Sequence, residues 1–122
     1  MSAKHHLLGV YGEDLAKEYL EGLGYEILAL NWRFKRAEID IIAYKEHRII
    51  FVEVKTRSGY GFGQPEEFVG RTKQRLMDRA AEAYIHMMNH RGEIRFDIIS
   101  ILFNSSGRHC LRHIEDAFWP GS

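Results

Sequence analysis

Apolar residues recur every three or four positions at Leu8, Tyr11, Leu15, Tyr19 and Leu23, and this spacing predicts an amphipathic helix ended by Gly24. Tyr25–Phe34 is rich in β-formers, and Glu38–Tyr44 alternates between two faces as a strand does. Arg48–Thr56 reads as a third strand. A loop containing Gly59, Gly61, Gly63 and Pro65 follows, and a second helical stripe runs through Met77, Ala80, Ala81, Tyr84, Ile85 and Met88, with Gly92 as its expected stop. Arg95–Phe103 is a strongly apolar strand, Asn104–Gly107 a turn, and Cys110–Ile114 a short last strand.

The order helix, three strands, helix, two strands predicts an α/β fold, a mixed sheet with helices packed on its faces. The third and fourth strands flank a helix, so a parallel pair joined by a right-handed crossover is expected. With 122 residues, 45% of them hydrophobic, the chain suits one domain spanning residues 1–122. No apolar run reaches membrane-spanning length, and Met1–His6 lacks the apolar stretch of a secretory signal, so a cytoplasmic protein without a membrane partner is expected. A lone cysteine, Cys110, can form neither an internal disulfide nor a thiolate zinc cluster, and a buried, inert thiol is the expectation.

Formal net charge is zero, with 17 basic and 17 acidic residues, which argues against a protein that coats nucleic acid by electrostatics alone. The charges are unevenly spread. From Arg33 to Arg79 there are 11 basic residues and 7 acidic ones, so carboxylates engaged by a cation would leave this third of the chain a positive surface suited to phosphate. An ordinary mixed-charge surface fits the same count.

The second and third strands are separated only by Lys45-Glu46-His47-Arg48, which requires an antiparallel hairpin. A turn centred between Glu46 and His47 sets Asp40 opposite Glu53 and Glu38 opposite Lys55, one patch whose opposed Cβ atoms lie roughly 5 Å apart. Like charges opposed in a sheet repel, and a divalent cation offsets this well, because Mg²⁺ prefers hard oxygen ligands and commonly uses one or two carboxylates with water and phosphate oxygens. In phosphodiester hydrolysis such a metal activates water, while a nearby ammonium such as Lys55 stabilises the charge of the transition state. Glu53-Val54-Lys55 alone is a weak signal; its force comes from the strand context and the carboxylate facing it. A structural ion-pair network is the competing explanation.

Other side chains are candidates of lower specificity. Glu13 lies in the helix row of Ala16 and Leu20, which lets it reach the sheet, and a boundary glutamate paired with a surface base is the alternative. Glu38, opposite Lys55, is expected to orient the lysine. Arg57 on the face of Glu53 and Lys55, and Lys73 four residues before Met77, suit phosphate contacts; each serves equally as a solvated surface cation. Tyr60 and Phe62 could stack on unpaired bases or anchor their loop to the core. The seven histidines show no zinc-site spacing, and Arg95 with Asp97 reads as a structural pair.

The blocks Gly12-Glu13-Asp14-Leu15-Ala16, Gly24-Tyr25-Glu26-Ile27-Leu28, Asn31-Trp32-Arg33, Glu38-Ile39-Asp40-Ile41-Ile42-Ala43, Phe51-Val52-Glu53-Val54-Lys55-Thr56-Arg57 and Arg95-Phe96-Asp97 resemble the YraN family of bacterial proteins. The resemblance runs from about Gly12 to Ile101 and implies a restriction endonuclease-like, Holliday-junction-resolvase-like domain. By it, Asp40, Glu53 and Lys55 match the PD-(D/E)xK nuclease core and Glu13 the helical glutamate of the resolvase-like branch. The expected cofactor is Mg²⁺ or Mn²⁺ on Asp40 and Glu53, with Glu13 and the Val54 carbonyl as further donors. The expected partner is DNA, branched or repair-related structures included, and a homodimer is compatible with it. Ala37 stands where the family usually has glycine, and Gly70 where a helix-capping threonine is common. A non-catalytic nucleic-acid-binding module that retains the nuclease fold is the alternative function.

Overall fold

The computed structural model describes residues 3–58 and 69–120. Its elements follow the expected order: α1 (Ala3–Gly22), β1 (Glu26–Phe34), β2 (Ala37–Lys45), β3 (Arg48–Ser58), α2 (Arg71–Met88), β4 (Glu93–Phe103) and β5 (His109–Ile114). The five strands form one mixed sheet in the order β1-β2-β3-β4-β5. β3 and β4 run parallel across the α2 crossover, and the other neighbours are antiparallel. The predicted loop, with Gly59, Tyr60, Gly61, Phe62, Gly63 and Pro65, lies outside the described residues. Among the described residues no helix is long and apolar enough to cross a membrane.

Each sheet face carries its own core. On one, α2 sets Met77, Ala80, Ala81 and Tyr84 against Ile39, Ile42, Ile49, Phe51, Phe96 and Ile98. On the other, α1 sets Ala16 and Leu20 against Ile41, Ala43, Ile50, Val52, Ile99 and Ile101. The buried edge of α1 is therefore Gly12, Ala16 and Leu20, while Tyr11 and Leu23 from the expected stripe are about half exposed. Small residues win this face because the helix passes so close to β3 that a Cβ on Gly12 would overlap the Thr56 hydroxyl and lie 3.2 Å from its methyl.

Three expectations are corrected. α2 stops at Asn89, not Gly92: Asn89 adopts φ 52°, and its N–H reaches back to the carbonyls of His86 and Ile85. Asparagine is the usual substitute for glycine in this left-handed cap. Gly92 instead permits a close approach, since a Cβ there would stand 2.5 Å from the His47 carbonyl oxygen. Cys110 is exposed, because β5 is an edge strand and Cys110 alternates with Leu111, which packs towards the core. The ladder between β2 and β3 follows the expected register from Lys45 opposite Arg48 to Ile41 opposite Val52 and ends there, so neither Asp40 with Glu53 nor Glu38 with Lys55 is a ladder pair.

Candidate functional site

The hairpin turn fixes the register because both Glu46 (φ 53°) and His47 (φ 66°) are left-handed, the two-residue turn whose twist matches that of the strands it joins. Beyond Ile41 and Val52 the strands part, and Asp40 closes the fork between them. Its Oδ2 accepts the Val54 N–H at 2.7 Å, so a side chain satisfies a backbone donor where the ladder stops. The regular alternation of β2 slips at the same place: Ile39 and Ile42 both pack on the α2 side, Ile41 and Ala43 on the α1 side. Asp40 thereby reaches residues from both faces.

Burial, then the neighbouring Glu53 carboxylate, pushes the Asp40 carboxyl up to about 9. Glu53 is only 2% exposed. Its Oε2 is buried without a hydrogen bond and forms an ion pair with the ammonium of Lys73, reaching across from the first turn of α2. Glu13 approaches from α1; burial raises its carboxyl above the ordinary value, Glu38 adds to that rise, and the neighbouring Asp40 and Asn31 act against it. The sheet thus brings Glu13, Asp40 and Glu53 together.

Glu38 stands elsewhere in this constellation than expected. It pairs with Arg33, its β1 neighbour, at 3.3 Å. With its amide oriented to satisfy both neighbours, Asn31 Nδ2 donates to Glu13 Oε1 and Glu38 Oε1, 3.0 Å each. Asn31 has φ 49° and lies between the Leu30–Ile41 and Trp32–Ile39 pairs, level with Asp40. Sequence reasoning assigned it no role; the available signal was a polar, turn-forming residue inside an apolar strand. Lys55 is half-buried beside Ser100 of β4 and has no ion pair among the described residues. Arg57 is exposed and donates to the Thr56 carbonyl at 2.9 Å.

Residues 12–101 match the uncharacterised protein family UPF0102. The chain belongs to that family. It is 46% identical to a UPF0102 protein of Flavobacterium psychrophilum, covering 96% of this chain and 98% of the relative. A Bacteroides thetaiotaomicron UPF0102 protein is 44% identical over 97% of each chain, and one from Rhodococcus opacus 40% identical over 93% of this chain and 98% of its own. The UPF0102 match has the span of the YraN resemblance, so Glu13, Asn31, Glu38, Asp40, Glu53 and Lys55 all fall inside it.

The chemistry of these UPF0102 side chains suits a hard divalent cation. Asp40 keeps its proton far above the usual carboxylate range beside the Glu53 carboxylate, and the buried Glu53 Oε2 has only the Lys73 ammonium as a partner among the described residues. Among the described residues no three Asp, Glu, His or Cys side chains lie together so as to hold a metal ion. A cation here would rely on two carboxylates, with water and substrate oxygens filling the remaining positions, as magnesium sites commonly do.

Proposed function

We propose that the protein is a metal-dependent nuclease that hydrolyses phosphodiester bonds in DNA. The observation that carries this is the buried Asp40 carboxyl at the fork of β2 and β3, accepting the Val54 N–H and pushed up to about 9 by burial and the neighbouring Glu53 carboxylate. Asp40 and Glu53 would hold Mg²⁺ or Mn²⁺, with Glu13 and the Val54 carbonyl as further donors. When bound, the cation supplies a Lewis acid that polarises the phosphate and a water acidified enough to attack it. Lys55, which no carboxylate among the described residues neutralises, would supply a charge that stabilises the additional negative charge of the transition state. Asn31 holds Glu13 and Glu38 apart and fixes their orientation.

A non-catalytic DNA-binding module is favoured by one contact. The Lys73 ammonium already compensates Glu53, so the carboxylate has a structural partner without a metal.

Lys55→Ala separates the two, because a protonated amine has no lone pair and cannot be a metal ligand. With enzyme in excess over DNA, the substitution should slow single-turnover cleavage by at least about 100-fold. DNA binding in Ca²⁺, where the substrate stays uncut, should weaken far less, by the modest, salt-dependent amount of one phosphate contact. Cleavage equal to the parent's removes Lys55 from the site. No cleavage of branched, single-stranded or duplex DNA by the parent, with either metal, leaves the binding module as the function.

A further inference from the structure

The face of α2 that meets Glu53 continues into a cleft. Lys73, Leu76 and Arg79 succeed one another at three-residue spacing, one row of the helix, and Arg79 lies about 9 Å along the axis from Lys73. Leu76 and Arg79 form one wall of a cavity of about 320 Å³, and Phe34, Lys35, Arg36 and Ala37, from the turn joining β1 to β2, form the other. A second cavity further along the helix shares Phe34, Lys35 and Arg79 and is lined by Glu82 as well. Its floor is apolar, with Ala37 buried and Phe34 and Leu76 half-buried, and its rim carries the exposed Lys35, Arg36 and Arg79. Among the described residues no carboxylate lines the inner cavity and none of the three cations has an ion-pair partner. Lys35 rests over the Phe34 ring, 5.4 Å from its centre, an exposed contact weak enough for a stacking base to displace.

We propose that this cleft is a subsite for an unpaired nucleotide of the DNA strand, its base on Phe34, Ala37 and Leu76 and its flanking phosphates on Lys35, Arg36 and Arg79. Its size is at the lower end for small-ligand sites, which suits one nucleotide, and three cations without an ion-pair partner among the described residues, set around an apolar floor, complement a base carrying phosphates. A base stacked and paired in continuous duplex cannot enter such a recess. The inference rests on the nuclease proposal for its choice of DNA and makes the substrate a strand with an unpaired segment at or next to the cut.

The test is fluorescence anisotropy in Ca²⁺ with three labelled probes: an oligothymidylate, a splayed-arm duplex and a blunt duplex. The parent should bind the first two at least about tenfold more tightly than the third. Arg36→Glu with Arg79→Glu should remove at least about tenfold of that affinity, change blunt-duplex binding less than about threefold, and lower the log-affinity against log-salt slope for oligothymidylate by about 1.4. The melting midpoint should stay unchanged, since both side chains are exposed; the double glutamine variant repeats the test if charge reversal disturbs folding. Equal affinity of the parent for all three probes, or equal loss on all three in the variant, overturns the subsite. Cleavage is scored separately: preference for unpaired DNA without any cleavage removes the nuclease proposal and keeps the subsite, whereas cleavage of unpaired strands unaffected by the double variant does the reverse.

Discussion

A carboxylate packed against another carboxylate is unfavourable unless a proton or a cation intervenes, and Asp40 and Glu53 are held in that arrangement. The folded protein keeps the Asp40 proton to about pH 9, while an unfolded aspartate releases it near 3.8. A raised folded value makes the contribution to stability complete below about pH 3.8 and lost as pH rises through the folded value. Metal-free protein should therefore lose stability between about pH 4 and 9. Asp40→Asn should flatten that decline, because an amide can accept the Val54 N–H and donate to Glu53 without charge. At pH 8 in EDTA the variant should melt no lower than the parent, and added Mg²⁺ should raise the parent's midpoint alone. A variant with the parent's pH slope, or one that Mg²⁺ still stabilises, would remove Asp40 from the proposed metal site. The nearness of Asp40 to Glu53 was legible from hairpin length and residue parity. Asn31 was not, because its left-handed backbone and its two carboxylate contacts depend on strands and a helix remote in sequence.

At the scale of elements, the approach of α1 to β3 sets where Glu13 stands. Alanine in place of glycine inside a helix ordinarily gains up to about 1 kcal/mol. Gly12→Ala should reverse that sign, because its Cβ would overlap the Thr56 hydroxyl, and overpacking of this kind costs about 1–3 kcal/mol. Chemical denaturation of Gly12→Ala, Thr56→Ala and the double variant isolates the contact: the double variant should recover most of the loss. Additive losses would mean that α1 moves freely over β3. The periodicity of α1 identified a helix yet placed its buried edge one row away, since hydrophobicity alone does not register the value of small residues where two backbones nearly touch.

Across the whole molecule, a buried polar network ties the α1 side together at the end of the sheet where β4 begins. Asp97, fully buried, accepts two hydrogen bonds from Arg95 at 2.8 Å, one from His113 Nε2 at 2.7 Å and one from the Asp116 N–H at 3.0 Å. Tyr19 of α1 meets His113 at 3.2 Å, and Arg95 donates to the Tyr25 hydroxyl at 2.8 Å. Burial acts to raise the Asp97 carboxyl, but the hydrogen bonds from His113, Arg95 and Asp116 outweigh it and hold the group below its ordinary 3.8. With a lowered folded value, this stabilisation is complete above about pH 3.8 and disappears as pH falls through the folded value. Asp97→Asn leaves the largely buried Arg95 with only the exposed Glu115, 3.5 Å away, as counter-charge and should cost about 3 kcal/mol, read from denaturant midpoints at pH 7. The difference between parent and variant should shrink below pH 3.8. A difference unchanged down to full protonation would show that charge is not what Asp97 contributes.

The order of elements, the hairpin register and the meeting of Asp40 with Glu53 were determined by the sequence itself, because they follow from local periodicity and from a turn too short to permit another pairing. The pairing of Arg95 with Asp97 was equally local, two residues apart on one strand. Only the tertiary structure decided that the β2–β3 ladder ends at Ile41 and Val52, that Glu38 turns to Arg33, and that Lys73 reaches Glu53. It also decided that Cys110 lies on an exposed edge and that the β1–β2 turn and α2 enclose a cationic cleft. Each of these depends on which elements face one another across the sheet, a property of packing that no window of the chain contains.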